Sequence, residues 1–464
     1  MRTLTFIALA ILLAGCKVGP NYQRPSIPLP AAYRDAQPGS TALSLSDTKW
    51  PQVFGDETLT GLVNTALKNN FDLKIAAERV TEARASLGVT RANQYPFLDA
   101  QANVTSNRGS TIGSVTFLPK GAKLNYTYTQ VGAALSWELD LFGRLRRLTE
   151  AAQAQYLASE EGRRGVVVSL ISDVTTNYLQ IREYELELEV GQNTQKAAED
   201  SLRLTKLRRE RGASSGLDVS QSEQLLYTAT AQIESVRRSM EQSENALSVL
   251  LGEAPAAQPK GTRLDKIPVP AQVPAGLPSD LLARRPDIRQ AEQNLIAANA
   301  QIGAAKALYF PQISLTAFAG GQSRALSEIA SNPARSLNVS PALTEPIFHA
   351  GQIRNQIRLS ESQKRELVVT YQKTVYTALR EVSDALVGYQ RYQSQRGEQE
   401  RLVGALDNSV RLSNLRYKGG IDSYLQVLDA ERNDFSGQLV LAQLRLQERL
   451  AVVQLYRALG GGWQ

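Results

Sequence analysis

The stretch Leu98-Asp99-Ala100-Gln101-Ala102-Asn103-Val104-Thr105 alternates apolar and polar residues without an error. That two-residue period belongs to a β-strand with two unlike faces. A second run repeats it, with Ile313, Leu315, Ala317 and Ala319 alternating with Gln312, Ser314 and Thr316. A loop rich in Gly, Ser and Lys leads from the first run to a return strand whose apolar face is Val131, Ala133, Leu135, Trp137 and Leu139. In the second copy the return face is Leu337, Val339 and Leu343, and Pro341 predicts a distorted position there. These are four segments of about ten residues, a length that crosses a bilayer at a tilt.

Four strands cannot close a membrane sheet. An edge left in lipid exposes backbone amides that cost several kcal/mol each, and the smallest closed barrels have about eight strands. Either several chains share one barrel, or the strands form a soluble four-stranded sheet.

Moving outward from the strands, the period changes. Residues 72 to 94 and 287 to 309 are Ala-rich and read as helices that stop before the aromatic-proline pairs Tyr95-Pro96 and Phe310-Pro311. Behind each return strand lies a very long helix. Leu145 to Arg211, at 1.5 Å per residue, spans about 100 Å before Gly212-Ala213-Ser214-Ser215-Gly216 reverses the chain. On the returning arm Val219, Leu226, Ile233, Met240 and Leu247 fall seven apart, with Ala229, Val236 and Leu250 completing a coiled-coil seam.

The whole arrangement occurs twice. Asn69-Asn70-Phe71-Asp72-Leu73 returns 215 residues later as Arg284-Arg285-Pro286-Asp287-Ile288, and Gly88 meets Gly303 at the same offset. Farther on the offset becomes 208, pairing Gly143 with Gly351, Gly212 with Gly420, Glu223 with Glu431 and Leu251-Gly252 with Leu459-Gly460. Proline placement gives the joints. Six of the nineteen prolines lie between Pro20 and Pro51 and seven between Pro255 and Pro286, while none occurs from Lys120 to Ala254 or from Ile347 to Gln464. The expected organisation is a signal peptide (1–15), a Pro-rich segment (16–56), a first repeat (57–254), a Pro-rich linker (255–277), a second repeat (278–460) and a short tail (461–464).

The amino terminus gives the compartment. Arg2 is a positive n-region, Phe6 to Ala14 is a short apolar core, and Leu13-Ala14-Gly15-Cys16 has the form of a bacterial lipobox. Cys16 is therefore the expected lipid-attachment site and is the chain's one cysteine. Lys17 rather than Asp follows it, consistent with delivery to the outer membrane. No later apolar run approaches the roughly 20 residues of a spanning helix.

Composition excludes other classes. One Cys and one His, His349, make neither a His/Cys metal cluster nor a disulfide framework, so no cofactor is expected beyond the covalent lipid. The net charge of +7 is dispersed, which gives nucleic acid no basic patch to bind. Gly212-Ala213-Ser214-Ser215-Gly216 matches the nucleophile-elbow string, but the charged helix Lys206 to Arg211 stands where the elbow needs a strand. An enzyme is not expected.

Taken together, the lipobox, the duplicated units, the two aromatic-proline pairs, Trp137-Glu138-Leu139-Asp140-Leu141-Phe142-Gly143, Gln426-Val427-Leu428-Asp429-Ala430-Glu431-Arg432 and Leu459-Gly460-Gly461-Gly462-Trp463 resemble the outer-membrane factors of tripartite efflux pumps. The chain resembles the TolC-like family's lipoprotein branch. The resemblance implies a mainly α fold with membrane β. In it, long coiled-coil hairpins build a trimeric α-barrel, and four strands per chain contribute to a twelve-stranded outer-membrane β-barrel. It implies a homotrimer in outer-membrane lipid, a periplasmic adaptor protein and an inner-membrane resistance-nodulation-division transporter as partners.

By the same resemblance, Tyr424 to Arg432 matches the segment that narrows the tube at its periplasmic tip. Leu425, Asp429 and Arg432 are four and three apart, hence on one helix face. The implied gate is an apolar plug of Leu425 side chains and a ring of Asp429 carboxylates relieved by Arg432, within or between chains. Read without the resemblance, Asp429 and Arg432 are a surface i,i+3 pair worth a few tenths of a kcal/mol. The turns at Gly212 and Gly420 are the expected adaptor contacts. The competing function is a lipid-anchored periplasmic coiled-coil scaffold without channel activity.

Overall fold

The computed structural model describes residues 17–34, 44–108, 125–270 and 273–462. Cys16, the signal peptide, the loop after the first strand and Trp463 lie outside the described residues.

The elements in chain order are α1 (Trp50–Phe54), α2 (Glu57–Asn69), α3 (Phe71–Ala92), β1 (Phe97–Arg108), β2 (Asn125–Leu139), α4 (Arg144–Glu210) and α5 (Gly216–Leu250). After the linker come α6 (Leu281–Arg284), α7 (Pro286–Ala307), β3 (Gln312–Ser323), β4 (Arg335–Thr344), α8 (Gln352–Lys418) and α9 (Tyr424–Ala458), with short 3-10 turns between them. The duplication is visible in element lengths. α4 and α8 both have 67 residues, α5 and α9 both 35, α3 and α7 both 22, and β1 and β3 both 12.

The repeat motifs have a structural reason. Asn70 accepts from the Leu73 N–H at 2.9 Å, capping α3, and its amide donates to Leu250 O at 2.9 Å. Its counterpart Arg285 donates to Ala458 O at 3.0 Å, and Ala458 is Leu250 plus 208. The paired side chains thus satisfy the same late carbonyl of the returning helix in each repeat. Gly252 and Gly460, at φ +73° and +76°, end those helices, and a Cβ on either would lie within about 3 Å of the Asn69 or Arg284 carbonyl.

The chain forms two compact units, neither of which is a repeat. One draws on Met1–Pro25, Val80–Ala158 and Glu292–Thr370, the other on Ser26–Arg79, Ser159–Ala291 and Tyr371–Gln464. The first holds the sheet, an antiparallel array in the order β1-β2-β3-β4. Its β2-to-β3 neighbourhood joins strands separated in sequence by α4 to α7, so the sheet exists only because both repeats contribute a hairpin. β1 and β4 are edge strands. The apolar face is bare, with Leu98 and Val104 each 71% exposed and Leu337 75% exposed.

The distortion expected at Pro341 does not occur. Register runs through Thr316↔Ser340, Leu315↔Pro341 and Ser314↔Ala342 without a bulge. Within the chain β4 pairs on one side only, with β3, so the N–H that Pro341 lacks need not be one that this ladder uses. Gly132 and Gly320 pair at the sheet centre, where an added Cβ on either would lie 2.7 Å from the Phe318 ring. The ring needs that gap.

At the junction of β2 and α4 the Trp137 to Gly143 motif becomes intelligible. Arg144 forks onto Glu138 at 2.6 to 3.0 Å, and Asp140 accepts from the Arg146 N–H at 2.8 Å. Cations in the first turn oppose the helix dipole, and these carboxylates offset that. Phe142 stacks on Phe310 with centroids 4.8 Å apart, and Trp137 Nε1 donates to Gln94 O at 3.1 Å.

The second unit is helical and carries the main core. α2 buries Leu59, Leu62, Val63 and Ala66 at helical spacing, capped by Asp56, which accepts from the Leu59 N–H at 3.0 Å. They pack with Val174, Tyr178 and Leu179 of α4, Val375 and Val382 of α8, and Val452 and Leu455 of α9. The predicted seam of α5 is largely buried: Val219, Ala229, Ile233, Val236 and Leu247 are all covered. Among the described residues no helix is long and apolar enough to cross a membrane.

Candidate gate and turns

α4 and α5, like α8 and α9, meet at a short turn. At the end of α4 the Ala213 N–H donates to Arg208 O at 2.8 Å and the Gly212 N–H to Arg209 O at 3.0 Å. At the end of α8 the Ile421 N–H donates to Arg416 O at 2.9 Å and the Gly420 N–H to Tyr417 O at 3.0 Å. These are paired Schellman closures, and Gly212 and Gly420 take the left-handed residue at φ +76° and +74°. A Cβ at either would meet nothing within 4 Å, so backbone conformation, not crowding, calls for glycine.

The chemistry beyond the two glycines differs. Ser215 caps α5, accepting from the Asp218 N–H at 3.2 Å while Asp218 accepts from the Ser215 N–H at 2.8 Å. The Ser214 hydroxyl also donates to Asp218 at 2.8 Å. Burial opposes ionisation of Asp218, but these donors outweigh it and hold the carboxyl below its ordinary range. The serines of the elbow-like string are therefore helix-capping groups. In the second turn Ser423 makes no side-chain cap. Asp422 instead takes a fork from Arg416, Nε at 2.5 Å and Nη2 at 3.0 Å, a bond that lowers the Asp422 pKa.

α9 starts with two faces. Tyr424, Val427 and Leu428 are buried with Tyr417, Ala198 and Leu225. Leu425, Asp429 and Arg432 are all exposed on the opposite side, Leu425 by 52%. The structure thus brings the three sequence-selected residues onto one open stripe. Asp429 accepts from Asn433 Nδ2 at 3.3 Å, and among the described residues no ion pair joins it to Arg432 within the chain.

Several neighbours escaped the sequence reading. Arg208 lies 4.4 Å from the centre of the Tyr417 ring and donates to Tyr417 O at 3.3 Å and Lys418 O at 3.4 Å. Tyr417 meets Tyr424 edge-on at 5.5 Å, and the Ser201 hydroxyl donates to Tyr424 Oη at 3.1 Å. The two helical hairpins of one chain are therefore tied together close to the turns. Behind the stripe, burial raises the Glu431 pKa, with Asn414 Nδ2 at 3.5 Å from Oε1 acting in the other direction. Burial also raises that of Asp434, partly countered by Gln438 and reinforced by Asp407. Glu431 stood inside a quoted motif, whereas Arg208 carried no signal, since its partners are backbone carbonyls 209 and 210 positions away.

His349 is exposed at the junction of β4 and α8. Among the described residues no group of three or more His, Cys, Asp and Glu side chains could hold a metal.

Comparison with known proteins matches residues 62–253 and 277–461 to the model described as outer membrane efflux protein, one segment for each repeat. The solvent efflux pump outer membrane protein SrpC of Pseudomonas putida is 40% identical over 468 aligned residues, covering 100% of this chain and 98% of that one. A membrane protein from Pseudomonas aeruginosa superposes with a TM-score of 0.89 at 34% identity, covering 96% of this chain and 100% of the other. The open state of the Neisseria gonorrhoeae MtrE outer membrane channel gives 0.86 at 30% identity, covering 97% and 99%.

Proposed function

This chain belongs to the outer membrane efflux protein family, and on that premise we propose that three copies share one twelve-stranded barrel as the exit duct of a tripartite pump. The observation that carries the reading is the open sheet: four paired strands, two free edges and a bare apolar face. Lipid cannot solvate the free edges, and pairing β4 of one copy with β1 of the next removes them all. Two copies would give eight strands and three give twelve; the family favours three.

Transport through the duct is passive, and a resistance-nodulation-division transporter in the inner membrane supplies the energy. A periplasmic adaptor meets the turns at Gly212 and Gly420. A covalent lipid on Cys16 ties the chain to the outer membrane. The gate is the stripe of Leu425, Asp429 and Arg432. Repeated around a threefold axis, it places three apolar side chains one helical turn before three carboxylates, whose repulsion Arg432 of the same or a neighbouring copy relieves. The exposed state of all three residues in one chain supports a role toward other copies or the lumen.

The test is single-channel conductance in a planar bilayer, wild type against Asp429→Ala in the same salt. Larger or more frequent openings in the variant are the expected result. Equal conductance moves the gate away from Asp429. Silence from intact inserted oligomers of both proteins sinks the duct and favours the lipid-anchored scaffold.

A further inference from the structure

The residues that follow Cys16 run as an extended strap through a site made for them. The Val18 N–H donates to Phe142 O at 3.2 Å, just past β2. Arg147 of α4, 1% exposed, donates from Nε to Val18 O at 3.1 Å and from Nη2 to Gly19 O at 3.2 Å and Asn21 Oδ1 at 3.1 Å. Its Nη1 reaches Glu150 at 3.0 Å, and Glu150 also takes Lys17 Nζ at 2.8 Å. From α7, Asn299 is fully buried and donates to Pro20 O at 2.9 Å, its own oxygen accepting from Lys364 at 2.9 Å. Glu292 of the same helix takes a fork from Arg24 at 2.7 Å on both oxygens and the Tyr22 hydroxyl at 3.1 Å.

Three successive carbonyls, those of Val18, Gly19 and Pro20, are thus read by two buried side chains from two helices. Shape enforces the fit. Gly19 sits at φ +94°, where a Cβ would fall 2.4 Å from Gly303 Cα, and a Cβ at Gly303 would fall 2.8 Å from Arg147 Nε and 2.9 Å from Val18 O. Among the described residues, the strap supplies three of the four acceptors of the Arg147 guanidinium and the one acceptor of the Asn299 amide, and bonds made by covered groups hold more firmly than surface contacts. An ordinary connecting loop does not require such a receptor.

We propose that α4 and α7 form a docking site for the segment behind the anchored cysteine, so that the lipid is a fixed peg at the strand-to-helix junction and not a loose tether. The proposal rests on the lipid reading of Cys16. The two residues after it are both held, Lys17 by Glu150 at 2.8 Å and Val18 by the Phe142 carbonyl at 3.2 Å.

The experiment uses the full chain as detergent-solubilised oligomer, where the strap is open to protease, with trypsin for the Lys17-Val18 bond and chymotrypsin for Tyr22-Gln23, followed by mass spectrometry. Gly19→Val attacks the fit from the strap side and Glu292→Gln from the receptor side, the latter keeping side-chain shape. Expected are slow cleavage in wild type and cleavage at least about tenfold faster in both variants, with the oligomer retained. Should Gly19→Val fail to assemble, Glu292→Gln decides. Wild type cut as fast as the variants, with Cys16 acylated, overturns the peg alone. Absence of lipid on Cys16 overturns the anchor reading, and the peg with it, whatever the cleavage rates.

Discussion

At the scale of single residues, glycine does two different jobs in these long helices. Gly420 holds φ +74° in open space, so Gly420→Val strains the backbone by about 1–2 kcal/mol without a clash. The expected outcome is a lower melting temperature of the detergent-solubilised oligomer and faster proteolysis at that turn. Gly404 lies inside α8, exposed, with nothing near a would-be Cβ. Gly404→Ala should therefore stabilise by roughly 0.5–1 kcal/mol, read as a higher melting temperature. Both turn glycines were legible, because their spacing of 208 recurs along the chain and helix ends need left-handed residues. Leu425, Asp429 and Arg432 were legible as one face for a similar reason, since helical spacing is local. Arg208, Arg147 and Asn299 were not. Their partners are carbonyls of distant segments, and a carbonyl leaves no mark in a sequence.

At the scale of elements, α4 carries a buried acid pair one turn apart. Glu183 and Glu187 are 1% and 5% exposed; Gln180 donates to Glu183 at 2.9 Å and Gln443 of α9 to Glu187 at 3.1 Å. Burial, and then the neighbouring Glu187, push the Glu183 pKa up to about 9. Because the folded value lies above the unfolded one, the associated stability is complete below the ordinary Glu pKa of 4.5 and drains away as pH rises toward about 9. Glu183→Gln copies the protonated form. It should match wild type near pH 5 and melt a few degrees higher near pH 8.5; parallel melting curves would mean the pair holds no extra proton. The strands allow a second comparison. Val339 and Asn338 are adjacent on β4 and face opposite ways. Val339→Arg puts a charge on the bare apolar face, at a cost of about 2–4 kcal/mol in mid-bilayer, and should lower the yield of heat-modifiable oligomer. Asn338→Arg should assemble normally. Alternation made these faces readable in advance, whereas the unbroken register through Pro341 was not readable. It depends on β4 lying at an edge, which only the completed pairing order reveals.

At the scale of the whole molecule, duplication explains why one chain can supply two hairpins and two helical turns with different chemistry. The first turn locks its helix with Ser215 and Asp218, and the second leaves Ser423 without a side-chain cap and links Asp422 to Arg416. Loss of the Arg416 fork, as in Asp422→Ala, should loosen only the second turn. Hydrogen exchange of residues 416–424 would rise while that of 208–216 stays unchanged. The duplicated architecture could be read from paired motifs, but copy number could not, since a free strand edge states only that a partner is needed. The two edges of the sheet carry one more consequence, for the permeability of the cell. On the proposed assembly, a chain by itself leaves two sheet edges unpaired in lipid, so an incomplete set of subunits is expected not to open a hole. The barrier that keeps toxic compounds out is breached only by a finished duct, and a duct is finished only when its last seam is sewn.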